Sequence, residues 1–171
     1  MISQIVQDAI NGQINSEFSA SYSYLAMSAY CERQNFFGCA KWLRIQSREE
    51  YGHGMKLLDF LLARNGKVEL KSVPGPSVDF PSVGAVFQHA LRQEEEVSRQ
   101  IDGLYELAFK EKQFAALVEL QWFLTEQVEE ERTAREIVAK FELLKGDAAA
   151  LLDLDRDLGS RVPEKAGETD E

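Results

Sequence analysis

Proline is scarce and confined: the four prolines are Pro74, Pro76, Pro81 and Pro163. Residues 1–73 and 82–162 have none, which leaves both stretches free to form long helices. Cysteine is also scarce. Cys31 and Cys39 lie in sequence that otherwise reads helical, and two free thiols in a reduced cytosol are expected. No apolar run exceeds five residues (114–118 and 148–152), far short of the roughly 20 needed to span a membrane. The first basic residue is Arg33, so the charged start of a signal peptide is missing and a cytoplasmic location is expected. Positive charge is in deficit, with 19 basic against 29 acidic residues and a net charge of −10. That balance disfavours non-specific nucleic-acid binding and favours attraction of cations. At 171 residues, 44% hydrophobic and 28% charged, the chain is large enough for one core without a disulfide.

Within the proline-free stretches apolar residues recur at spacings of three, four and seven, which predicts helices. Five are expected. The first starts at Ser3, a suitable N-cap, and ends near Arg33; Asn35-Phe36-Phe37-Gly38 is a short connection. The second ends near Arg64, before Asn65-Gly66. Residues 66–81 form a long crossover. Ser82 caps a third helix reaching about Phe109, and a fourth runs from about Lys112 to Lys145, stopping at Gly146. Asp147 caps a short fifth helix closed by Gly159. Short links make the first two helices antiparallel, and likewise the third and fourth. The pattern is an all-α four-helix bundle with one long crossover and a short C-terminal helix. Residues 1–160 form one domain and 161–171 a flexible acidic tail. Ala148, Leu151, Leu152 and Leu158 make the fifth helix apolar although the four-helix core is complete. Its apolar face is therefore predicted to pack on other subunits.

The functional signal lies where polar residues interrupt the apolar stripes. Heptad spacing gives Ile10, Glu17, Tyr24 on the first helix and Leu43, Glu50, Leu57 on the second. The third reads Phe87, Glu94, Ile101, Ala108. The fourth reads Leu120, Gln127, Ala134, Phe141, with Phe123, Glu130, Ile137 alongside. Seven residues are nearly two turns, so each polar residue sits on a core-facing stripe. A buried carboxylate must be paired, protonated or metal-bound, and no Lys or Arg occupies these positions. A metal is the natural counter-ion. His53, three residues after Glu50, can place a ring nitrogen on the same ion.

Several residues stay open on sequence alone. Glu49, Glu126, Glu129 and Glu130 form either a solvated acidic face or a further metal site. Tyr24 is either a core tyrosine or an electron donor beside a redox metal. Gly52 and Gly54 flank His53 either for close backbone approach or as tolerated glycines. Trp122 reads as packing. Gln127 and Glu130 both interrupt the stripes of the fourth helix.

The set Glu17, Tyr24, Glu49-Glu50-x-x-His53, Glu94 and Glu126-Gln127-x-Glu129-Glu130 resembles the ferroxidase-centre pattern of non-haem ferritins of bacterial type, over residues 1 to about 160. The Leu154-Asp155-Arg156-Asp157-Leu158-Gly159 segment is similar to theirs as well. Ferritins are a standing example of the one-crossover bundle, so connectivity and resemblance are not independent. The resemblance implies that Glu17, Glu50 and His53 hold one iron, and that Glu50, Glu94 and Glu130 hold a second, with Gln127 close by. Glu49, Glu126, Glu129 and Glu130 would form a third site. It further implies oxidation of Fe(II) by dioxygen or peroxide, and ferric mineral stored inside a shell of twenty-four subunits. Haem is not implied: bacterioferritins carry a second Glu-x-x-His where Gln127-x-x-Glu130 stands, and a haem-ligating Met where Tyr51 stands. The acidic channel of animal ferritins is not implied either, since Leu117 and Leu120 take those positions. The alternatives are a non-storage di-iron oxidase or peroxide reductase on the same scaffold, or an interaction bundle whose acids are merely paired.

Overall fold

The structure is a computed structural model and describes residues 2–144 and 147–163. Among these residues there are five helices: α1 (Gln4–Arg33), α2 (Phe37–Ala63), α3 (Val83–Lys110), α4 (Phe114–Leu143) and α5 (Ala148–Gly159). Among the described residues no helix is long and apolar enough to cross a membrane. Two expected caps form: the Ser82 hydroxyl accepts from the Ala85 N–H, and the Asp147 carboxylate accepts from those of Ala149 and Ala150. Ser3 takes the N-cap position of α1, but its hydroxyl makes no capping bond. The expected stop at Lys145 and Gly146 lies outside the described residues, as do residues 164–171 of the tail.

Three helices end in the same way. Asn35, Asn65 and Lys112 adopt φ of 64°, 56° and 54° after α1, α2 and α3. The following N–H groups of Phe36, Gly66 and Gln113 then bond back to the carbonyls of Cys31, Leu61 and Ala108. This left-handed ending satisfies carbonyls the helix leaves unpaired and turns the chain sharply. It explains why α4 begins at Phe114 rather than Lys112: Lys112 belongs to the end of α3.

The crossover is pinned along α1. Gln7 and Asn11 bond the backbone of Lys67 and Glu69, while Tyr30 and Arg33 reach Phe80 and Asp79. From Gln7 to Tyr30 a helix rises about 35 Å, within reach of the extended crossover. Antiparallel α1/α2 and α3/α4 pairs thus lie side by side, as the one-crossover pattern requires.

This topology makes two apolar cores. One joins Tyr24 and Met27 of α1, Cys39 and Leu43 of α2, Val86 and Phe87 of α3, and Ile137 of α4. The other joins Ile10 and Ile14, Leu57 and Leu61, Ile101 and Leu104, and Leu120 and Phe123. The polar stripe positions fall between them.

α5 lies on the start of α2. The Asp155 carboxylate accepts from the N–H groups of Gly38 and Cys39 at 3.1 and 2.7 Å. A Cβ at Gly38 would lie 1.7 Å from the Asp155 carbonyl oxygen, so glycine is what admits this approach. Leu154 and Leu158 bury into the first core. This corrects the expectation for α5: Leu158 faces its own subunit, because the helix folds back on α2. Ala148 and Leu152 stay exposed.

Candidate metal centre

Glu17, Glu50, His53, Glu94, Gln127 and Glu130 are all buried in the layer between the two cores, one or two from each long helix. Glu17, Glu50 and Glu94 are each 1% exposed. The heptad reading holds because seven residues advance the helix by nearly two turns, returning each polar side chain to the buried face.

One carboxylate oxygen of Glu17, one of Glu50 and a ring nitrogen of His53 lie within 4.8 Å of one another. His53, Glu126 and Glu130 form a second such group. Nδ1 of His53 is 3.5 Å from Glu50, and Nε2 is 4.0 Å from Glu126. The imidazole therefore stands between the two groups, its ring packed edge-on against Trp122 and Phe123. Trp122 is packing here, as expected, and also carries the Lys56 ammonium over its ring.

A ring of neutral donors orients the acids. Gln13 donates to Glu17 at 2.8 Å, and Gln46 donates to Glu130 at 2.8 Å and to Glu50 at 3.3 Å. Gln127 donates to Glu94 at 3.3 Å, and the Tyr24 hydroxyl donates to the other Glu94 oxygen. Gln13 and Gln46 between them hold one oxygen each of Glu17, Glu50 and Glu130 and leave the other, whereas both Glu94 oxygens are taken and Glu94 belongs to neither ligand group. Oε2 of Glu17 and Oε2 of Glu50 are buried without a hydrogen-bond partner. An unpartnered buried carboxylate oxygen is costly, and a cation bound among these atoms removes that cost.

The electrostatics agree. Burial, then the charge of Glu50, pushes Glu17 up to about 8. Burial, then Glu94, pushes Glu130 up to about 8. Burial raises Glu94 to about 7 although Tyr24 and Gln127 oppose the shift. Glu50 is raised well above the carboxylate range by burial and by Glu94 and Glu130. Tyr24 is raised too, by burial and by Glu94, so its hydroxyl stays protonated and donates. The metal-free site thus holds protons at neutral pH, and a metal must displace them.

The remaining acids separate. Glu126 joins His53 and Glu130. Glu129 is exposed and joins neither group. Glu49 is ion-paired with Arg161 at 2.6 Å. Sequence reasoning missed Gln13, Gln46 and Arg161. Gln46 is one turn before Glu50, a position that stripe analysis could have found. Arg161 was assigned to the tail, and nothing local marks its partner 112 residues away. The flanking glycines differ: a Cβ at Gly54 would meet the Phe18 ring at 2.6 Å, whereas Gly52 has open space.

Residues 7–144 match the ferritin-like domain family. The chain is 35% identical over 162 residues to a bacterial non-heme ferritin of Staphylococcus aureus (strain USA300), covering 95% of this chain and 98% of that one. It is 36% identical over 161 residues to the bacterial non-heme ferritin of Staphylococcus haemolyticus, covering 94% and 97%. It also superposes on an open pore ferritin from the archaeon Archaeoglobus fulgidus, with a TM-score of 0.94 and 41% identity over 95% of this chain and 100% of that one. With its bundle, its buried carboxylate layer and these relatives in agreement, the chain belongs to the ferritin-like family, among the bacterial-type non-haem ferritins.

Proposed function

We propose that this chain is an iron-storage ferroxidase, with Fe(II) as its substrate. The observation that carries the reading is the buried group of Glu17, Glu50 and His53, in which one oxygen of Glu17 and one of Glu50 have no hydrogen-bond partner. Glu17, Glu50 and His53 hold the first ion. Glu50, Glu94 and Glu130 hold the second, Glu50 bridging. Four carboxylates balance the four positive charges of two Fe(II) ions. Hard carboxylate donors suit ferric product, and one imidazole suits iron in both states. Gln127 is not a ligand in this scheme: its neutral amide adds no charge to balance the ions, and its nitrogen steadies Glu94. Glu126 and Glu130 begin a third position, with Glu129 at its edge. Glu49 is the remaining acid proposed for that position, and it is ion-paired with Arg161.

Binding of Fe(II) releases protons from the raised acids. Each of two Fe(II) ions then gives one electron to dioxygen, which takes up two protons and leaves as hydrogen peroxide. With peroxide as oxidant, two electrons and two protons yield two waters. Where Tyr24, hydrogen-bonded to Glu94, and an Fe(II) ion at the third position each add one electron to the two from the centre, dioxygen takes four electrons and four protons and leaves as two waters. Ferric product passes by the third position to a cavity enclosed by twenty-four copies of residues 1–160, in the cytoplasm. Both cysteines are unpaired and buried, which fits a reduced compartment.

The test mixes excess Fe(II) with the protein in air and follows oxygen uptake and ferric product together. Oxygen consumption with ferric iron retained in solution by a large particle is expected. Oxidation no faster than in buffer, or ferric iron precipitating freely, overturns the reading.

A further inference from the structure

Gln46 is fully buried on α2, one turn before Glu50. An amide side chain has two unlike ends: its oxygen accepts and its nitrogen donates. Here the nitrogen faces two carboxylates, Glu130 at 2.8 Å and Glu50 at 3.3 Å. Reversed, the amide would press its oxygen against both of them. The group that holds its orientation comes from beyond α5. Nη1 of Arg161 donates to the Gln46 oxygen at 2.8 Å, and Nη2 donates to Glu49 at 2.6 Å. The guanidinium also lies 4.5 Å over the Trp42 ring. A planar fork with two acceptors and an aromatic face has one orientation, which a lysine ammonium cannot reproduce.

We propose that Arg161 is a positioning residue for the metal centre, acting through the Gln46 amide to fix one oxygen each of Glu50 and Glu130. The inference rests on the two-ion reading above. The competing account is that Arg161 only fastens the end of α5 to α2. The two differ in sign. By charge alone, removing a cation near an acidic site tightens binding of a divalent ion. Loss of positioning weakens it.

The experiment is anaerobic titration of the full-length assembled protein with Co(II), read by its visible absorption bands, for wild type, Arg161→Gln, Arg161→Lys and Gln46→Met. In wild type, two tight ions per chain are expected. Arg161→Gln should weaken the second ion about ten-fold or more and shift its bands, as loss of a ligand-orienting partner does. Arg161→Lys should not restore it. The double variant Arg161→Gln/Gln46→Met should be no worse than Gln46→Met alone, because both act on one path. Unchanged or tighter Co(II) binding in Arg161→Gln overturns the proposal, even if thermal stability falls. Additive losses in the double variant overturn it as well. If wild type takes up no Co(II), the two-ion reading fails instead. A crystal structure of metal-free Arg161→Gln then decides: Gln46 displaced from Glu130 supports positioning, and Gln46 unmoved overturns it.

Discussion

Gln127 and Glu130 sit less than one turn apart on α4 and do different things. The Gln127 nitrogen bonds Glu94, its carbonyl and Ser98, so the residue steadies another helix. Glu130 keeps a carboxylate in the layer, with one oxygen on Gln46. Glu130→Gln is therefore expected to lose affinity for the second ion and to slow oxidation more than Gln127→Ala does. Anaerobic Fe(II) titration and stopped-flow oxidation check this, and a larger defect in Gln127→Ala would reverse the ligand assignment. The same acids govern pH behaviour. Between pH about 4.5 and about 8 the folded metal-free protein binds more protons at Glu17 and Glu130 than the unfolded chain does. Stability then falls as pH rises through that window. The melting midpoint of metal-free protein should drop from pH 5 to pH 8.5, Glu17→Gln should flatten the drop, and a divalent ion should reverse it. A midpoint that rises over the same range contradicts the buried-proton account.

At the scale of the element, the two glycines beside His53 offer a contrast inside one turn of α2. Gly52 has open space, so Gly52→Ala should gain up to about 1 kcal/mol from helix propensity. Gly54 meets the Phe18 ring, itself stacked on Tyr51 at 5.5 Å, so Gly54→Ala forces a shift costing roughly 1 kcal/mol or more. Thermal melts of the two variants should move in opposite directions; equal shifts would show that Phe18 yields freely. α5 shows how much an element depends on its host. Its own sequence reads as an amphipathic segment with a good cap. Its placement depends on the Asp155 carboxylate at the start of α2 and on the space left by Gly38.

For the whole molecule, two apolar cores bracket one polar layer, so stability and chemistry occupy different levels of the same bundle. The cores hold four helices in register, and that register brings Glu17, Glu50, Glu126 and Glu130 within reach of the His53 imidazole. Much apolar surface remains outward, including Tyr22, Tyr51, Val118, Val128 and Leu152. The protein should elute as a particle many times 19.4 kDa. Light scattering that finds a monomer or simple dimer at micromolar concentration would remove the storage shell from the proposed function, while leaving the metal centre to be tested by titration.

Much of this was legible along the chain because helices are periodic and local. Proline placement marked the uninterrupted helices and the crossover, and seven-residue spacing aligned Glu17, Glu50, Glu94 and Glu130 with apolar neighbours. Ser82 and Asp147 announced their caps because a cap acts within three residues. The polar layer followed, since a residue on a core-facing stripe is buried whatever its partner. Partners themselves are another matter. The pairing of Glu49 with Arg161, the hold of Arg161 on Gln46 and the return of Leu158 to its own core join residues more than 100 positions apart, or turn on where α5 lands. Periodicity determines which face of a helix is buried. Only the packed tertiary structure decides which side chain, from which distant segment, meets it there.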